Sequence, residues 1–107
     1  MTEMTENRVI SFLGLCMRAG RVISGQEACV DLVRSGEAAL VLMDASASDN
    51  TRKRLTDACR SHDVALYEVS ADALGHAIGK KGRMVIALRN DGMAQKLQTM
   101  LKNEPRL

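Results

Sequence analysis

Two short stretches of this sequence hold residues able to bind a polyanion. The first is Ser24-Gly25-Gln26-Glu27, where an apolar pair, Val22-Ile23, gives way to a helical pattern. Ala28, Cys29, Leu32 and Val33 then fall at i, i+1, i+4 and i+5, one apolar helix face, and Gly36 stands where a helix C-terminal glycine belongs. The unit reads as strand, glycine turn, helix N-terminus. That end of a helix presents unpaired backbone N–H groups, which suit phosphates and polar base edges. Gly25 lacks the Cβ that would hold a ligand backbone away. The same unit also fits an ordinary βα turn. The second stretch is the tight basic loop Gly79-Lys80-Lys81-Gly82-Arg83. Arg18 and Arg21 lie close in sequence to the Gly25 turn; taken singly they read as solvated surface arginines.

Catalytic and metal-binding patterns do not occur. His62 sits beside Asp63 at a helix end and His76 beside Gly75, neither with a partner at metal-ligand spacing. There is no GxSxG, HExxH or CxxC. Gly75 to Lys81, GHAIGKK, is not a phosphate-binding P-loop: it has one residue too few between its glycines, and no Ser or Thr follows the Lys. The sequence therefore predicts no enzyme, no metal and no cofactor.

Composition narrows the choice further. A chain of 107 residues, 46% apolar, fits a single domain over 1–107 with a real core. Phe12 and Tyr67 are its only Phe, Tyr or Trp side chains, which argues against a platform that stacks bases on aromatic rings. The net charge of +2, from 15 basic and 13 acidic residues, leaves the clustering of cations to decide whether a polyanion binds. Cys16, Cys29 and Cys59 fall on apolar helix faces without metal spacing, so they read as buried thiols in a reducing compartment. With no signal-peptide pattern and no apolar run near 18 residues, the expected location is cytoplasmic, with no membrane contact and a monomeric state.

Helices and strands alternate around these stretches. Met1 to Thr5 are expected to fray, with Thr5 capping a helix whose stripe is Val9, Ile10, Leu13, Cys16 and Met17. Ala39 to Met43 is an apolar run read as a strand buried on both faces. Ser48 or Asp49 caps the next helix, with Leu55, Ala58 and Cys59 inward and Arg52, Lys53 and Arg54 outward. A basic run of this kind reads as a solvated face, with phosphate contact as the lesser option. Val64 to Val69 forms a third strand. Ser70 caps a short helix, Ala71 to Ile78, and Met84 to Leu88 is a fourth, interior strand. After Asn90-Asp91-Gly92, Met93, Leu97, Met100 and Leu101 line a last helix, and Lys102 to Leu107 forms a tail expected to be mobile. This alternation predicts a three-layer α/β/α sandwich around a mostly parallel sheet.

Gly79-Lys80-Lys81-Gly82 matches the GxxG clamp of KH domains, but a KH domain continues into a helix, whereas Met84 to Leu88 is continuously apolar. Across Val9 to Leu101 the chain resembles the kink-turn RNA-binding family of ribosomal proteins, and within it a small bacterial YlxQ-type branch. The segments that carry the likeness are LGLCMRAGRVISG, LVRSG, ALVLM with SDNTRKRL after it, and LGHAIGKKGRMVIAL, in that order and spacing. The resemblance implies a four-stranded mixed sheet of order 1-4-2-3 with strand 4 antiparallel. It also implies RNA binding by the Gly25 turn and by the loop before strand 4.

The family motif is Gly-x-Asn-Glu-x-x-Lys. Aligned without a gap from Gly25, this chain has Glu27 for Asn, Ala28 for Glu and Asp31 for Lys. A one-residue gap would instead match Gln26-Glu27 to Asn-Glu and put Val30 at the Lys position. Losing the Lys weakens a phosphate-facing surface, while Lys80, Lys81 and Arg83 strengthen one.

The expected function is a non-catalytic RNA-binding protein acting on structured RNA, ribosomal RNA first. Its surface would comprise Arg18, Arg21, Ser24, Gly25, Gln26, Glu27, Lys80, Lys81, Gly82 and Arg83. Gln26 and Glu27 would meet base edges, and the cations would meet phosphates. The rival is a protein-interaction module on the same fold.

Overall fold

The computed structural model describes residues 1–107. In chain order its elements are α1 (Glu3–Arg18), β1 (Val22–Ser24), α2 (Gln26–Arg34), β2 (Ala38–Asp44), α3 (Asp49–Ser61), β3 (Ala65–Val69), α4 (Ala73–Ile78), β4 (Val85–Arg89) and α5 (Gly92–Met100). The strands form one sheet of order β1-β4-β2-β3. β4 lies antiparallel to both β1 and β2, and β3 runs parallel to β2. Three strands thus share a direction, but with β4 reversed between β1 and β2 only the β2–β3 pairing is parallel, so the mostly parallel sheet expected from the alternation is not formed. The implied mixed sheet with an interior, antiparallel fourth strand is present.

The reason is burial. Val85, Ile86, Ala87 and Leu88 are all buried, and so are Leu40 to Met43 on β2. Two consecutive-apolar strands must be covered on both faces, which makes them the two middle strands. Successive residues alternate between faces. Leu40, Leu42, Ile86 and Leu88 pack against Val9, Phe12, Leu13 and Cys16 of α1, with Leu74 and Leu97 from α4 and α5. Val41, Met43, Val85 and Ala87 pack against Cys29, Val30 and Val33 of α2 and Leu55 and Cys59 of α3. The KH reading fails here, because the chain after Arg83 is a strand paired on both sides.

Two caps differ from the sequence reading. α1 begins at Glu3, where Thr2 rather than Thr5 is the cap: the Thr5 N–H donates to Thr2 Oγ1 at 3.1 Å. The repeated Thr-Glu pairs of the N-terminal segment allow either register, and the earlier one adds a turn of hydrogen bonds. Residues 3–5, expected to fray, therefore form part of the first turn. Ser70 does not cap α4. Its N–H and hydroxyl both donate to the Glu6 carboxylate, at 2.6 and 2.8 Å, and α4 starts later, after Asp72 in a left-handed conformation. At the tail, expected to be mobile, the Leu107 N–H donates to the Leu66 carbonyl at 2.8 Å.

Cys16, Cys29 and Cys59 are buried and unpaired. Burial pushes the Cys29 thiol up to about 12, with nearby Cys59 adding to the shift, and burial pushes Cys59 up to about 11. Burial, followed by the charge of Asp91, raises Cys16 as well. Only the thiolate attacks. Native protein at pH 8 should therefore label slowly with a thiol reagent at all three positions, while protein in denaturant labels at the ordinary rate. A fast native phase would contradict this burial.

Candidate nucleic-acid interface

Sheet topology brings the two polar stretches together. β1, β2 and β3 share a direction, so their C-terminal ends lie at one end of the sheet, and β4, running the other way, begins there. The Gly25 N–H donates to the Val85 carbonyl at 3.1 Å, the Asp44 N–H to Met84 at 2.8 Å and the Ala45 N–H to Val69 at 2.8 Å. The turn into α2 and the loop before β4 are thus bonded neighbours, although they are far apart in sequence.

Gly25 adopts φ 101° and ψ 148°, a conformation that side chains other than hydrogen rarely tolerate. A Cβ built there would stand 3.3 Å from Arg83 Nη1, so the guanidinium lies directly over the turn. Gly25 also gives α2 no side-chain cap, which leaves its first-turn N–H groups free of side-chain partners at the same end. Gly75, on α4, is needed for a different reason: a Cβ there would meet the Lys80 carbonyl oxygen at 3.0 Å. Its missing side chain lets the basic loop fold back against α4. Lys80 and Lys81 are exposed, and neither lysine nor Arg83 takes part in an ion pair. Beside them lies an open groove of about 650 Å³, lined in part by Asp72, His76, Lys81 and Arg83. Such walls suit a charged ligand better than an apolar one.

Gln26 and Glu27 are at this end too, but they are not free. Both Glu27 oxygens receive Arg54 of α3, Nη2 to Oε2 at 3.4 Å and Nη1 to Oε1 closer still. Chiefly this hydrogen-bonded guanidinium holds the Glu27 carboxyl below its ordinary range. The Thr51 hydroxyl donates to Gln26 Oε1 at 2.6 Å. From the sequence the run Arg52–Arg54 reads as a solvated face, and Thr51 carries no signal. Arg52 in fact pairs with Glu68 at 2.6 Å and Lys53 with Asp57 at 3.2 Å, so only Arg54 of the three reaches the α2 turn. An Arg six positions after the helix cap Ser48 carries no sequence signal for that contact.

Of the remaining residues, Ser24 ends β1 beside Gly25, and Gly82 lies in the basic loop. Arg18 Nη1 and the Ala77 carbonyl oxygen both lie within 4 Å of the place a Cβ would take on Gly14, which sets Arg18 beside the last turn of α4. Arg21 is apart from the others. It precedes β1, about 10 Å of strand away from the turn, and its guanidinium stands 3.7 Å from Asp91 at the far end of β4. Val30 is 1% exposed and Asp31 is exposed, which agrees with the ungapped register, the one preferred from the sequence because a gap displaces the apolar pair Leu32-Val33.

Residues 8–98 match the model of the ribosomal protein L7Ae/L30e/S12e/Gadd45 family. The chain belongs to this family. It is 41% identical over 90 residues to the RNA-binding protein YlxQ of Bacillus subtilis strain 168, covering 83% of this chain and 90% of that one. It is 30% identical over 103 residues to the Enterococcus faecium YlxQ, covering 95% and 99%. Among solved structures, a Bacillus halodurans protein of unknown function superposes with a TM-score of 0.81 at 34% identity, covering 90% of this chain and 98% of that one. The Giardia lamblia 15.5kD RNA binding protein superposes at 0.72 with 18% identity, over 94% and 92%, a likeness of fold. In this chain α3 answers the charge of Glu27 at the start of α2 through Arg54.

Two outcomes follow from this geometry. Gly25→Ala should destabilise the fold by about 1–3 kcal/mol through its backbone conformation alone, read as a lower urea midpoint. The carboxyl of Glu27 titrates lower in the folded state than in the unfolded one. Its contact with Arg54 therefore contributes stability above the unfolded value, about 4.3, and loses it as pH falls through the lower folded value. In Arg54→Met the Glu27 carboxyl, followed by NMR, should titrate higher than in the wild type; an unchanged midpoint would remove Arg54 as the cause.

Proposed function

We propose that this chain is a non-catalytic RNA-binding protein that grips a sharply bent structured RNA, a kink-turn being the first choice and ribosomal RNA its first source. The observation that carries the reading is Arg83 lying over Gly25: a cation from one loop covers a turn in the other where backbone can approach closely. Around that point stand two exposed, unpaired lysines and the first-turn N–H groups of α2. The cations and N–H groups would fix register on phosphates, while Gln26 and Glu27 would meet base edges. The names of the Bacillus and Enterococcus relatives, both RNA-binding proteins, support the same class of partner.

One feature argues against the rival, a protein-interaction module. That use would favour an apolar or neutral patch across the two loops. The large apolar side chains that are exposed, Met1, Met4, Leu15 and Leu107, lie elsewhere. No helix is long and apolar enough to cross a membrane, and no group of three or more His, Cys, Asp or Glu side chains converges as a metal site would need.

Electrophoretic shifts of a kink-turn RNA and a straight duplex of equal length, each at two salt concentrations, test the proposal. The kink-turn should bind more tightly. Neutralising Lys80, Lys81 or Arg83 should weaken binding to both RNAs and lower the salt slope by roughly one unit each. Replacing Gln26 should instead reduce discrimination by about 1–3 kcal/mol and leave the slope nearly unchanged. Equal binding to the two RNAs would remove the kink-turn, and no binding to either would bring the rival forward.

A further inference from the structure

The α2 turn and α3 are joined by a continuous chain of polar contacts that begins and ends on α3. Ser48 Oγ donates to Thr51 Oγ1 at 3.1 Å, and Thr51 Oγ1 donates to Gln26 Oε1 at 2.6 Å. Gln26 Nε2 lies 3.5 Å from Glu27 Oε1, and Glu27 is held by Arg54. We infer that Thr51 and Arg54 are positioning residues for the RNA-reading end of α2, presenting Gln26 and Glu27 as one N–H donor beside one carboxylate acceptor before any ligand arrives. The inference rests on the RNA-binding function proposed above.

Chemistry fixes the orientation of the Gln26 amide. A glutamine side chain has a donor end and an acceptor end, and nothing in its own shape prefers one over the other. Here one side of the amide faces the Glu27 carboxylate. Placing Oε1 there would set two acceptors against each other, so the NH₂ group takes that side. The other side faces a hydroxyl that already accepts a hydrogen bond from Ser48, so its own proton is directed at Oε1. One N–H of the amide remains for a ligand. Without the Thr51 hydroxyl the amide can turn over and offer an oxygen where a donor is needed.

Arg54 acts on the neighbouring residue. Glu27 is 69% exposed at its side chain and stands next to where phosphates would pass. A loose carboxylate there repels RNA. Held by a guanidinium it is neutralised, keeps a fixed direction and still has lone pairs for a base N–H. The first two turns of α2 contain no cation of their own, and Arg34, in the last turn, is its only basic residue. α3 therefore supplies across the interhelical seam what α2 lacks. Setting this arrangement before binding lowers the ordering cost paid on complex formation, which matters most for telling one RNA from another.

Full-length protein carrying Thr51→Val, Thr51→Ser, Arg54→Met and Gln26→Ala, singly and with Thr51→Val combined with Gln26→Ala, is measured against the kink-turn RNA and the straight duplex over a salt series. Thr51→Val should lower the kink-turn-to-duplex affinity ratio roughly five- to hundredfold, the range of a lost base contact, with the salt slope unchanged because no charge is removed. Thr51→Ser should restore the ratio. In the Gln26→Ala background Thr51→Val should lower the ratio no further. Arg54→Met should lower the ratio; a drop of one unit in salt slope with the ratio intact would make Arg54 a plain phosphate contact and overturn its positioning role. Melting curves identify a merely structural effect, which would weaken both RNAs alike and leave the ratio untouched. A wild-type ratio in Thr51→Val, a failure of Thr51→Ser to restore it, or additivity with Gln26→Ala overturns the role of the hydroxyl while the RNA-binding function stands. A wild-type protein that does not distinguish the two RNAs overturns both.

Discussion

The insertion of β4 between β1 and β2 is the constraint on which the interface depends. Four consecutive buried apolar residues, Val85 to Leu88, leave that strand no edge position and no solvent-facing side. Once it lies antiparallel beside β1, its N-terminal end meets the C-terminal end of β1, and the Gly25 N–H finds the Val85 carbonyl. A parallel fourth strand would have entered the sheet from the opposite end and carried Lys80, Lys81 and Arg83 away from the α2 turn. The proposed binding surface thus rests on two constraints: burial puts β4 inside the sheet, and its antiparallel direction puts the cations at the α2 turn.

Local charge matters more than net charge here. Arg52, Lys53, Arg54 and Arg21 are each matched by a carboxylate, so these four are not free cations although the net charge of +2 is unchanged. What remains unpaired near the α2 turn is concentrated in one loop. Exposed pairs of this kind contribute little to stability and are weakened by salt. At the proposed surface the Arg54–Glu27 pair removes a free carboxylate from beside the α2 turn, because another helix answers its charge.

The fold was legible because its signals are either local or strongly apolar. Strand β4, the helix faces and the buried thiols all follow from runs and periodicities that no other arrangement satisfies, and the strand order followed from the family likeness. What the sequence could not reveal was polar contact between distant segments. Thr2 and Thr5 both precede a Glu, so the cap of α1 was ambiguous by composition. Ser70 looked like a cap until Glu6, on another element, took its N–H and hydroxyl. Nothing in the spacing of Thr51 and Arg54 points to Gln26 and Glu27, because their meeting depends on how α2 and α3 lie on the sheet. Arg21 failed as a neighbour of the turn for the opposite reason: closeness in sequence placed it across a strand, at the other end of β1.

The hydrogen bond between Gly25 and Val85 joins the two ends of the folding problem. Ser24 is paired with Ile86, so the seam between β1 and β4 joins segments far apart in the sequence. A partly folded chain could hold a formed α2 or a formed basic loop, yet would offer them on separate pieces. Any ligand that spans the seam selects the complete structure and draws population toward it by mass action. Melting temperature measured with and without ligand then becomes an assay of assembly, and quality control of this protein in a cell would be linked to whether its ligand is present.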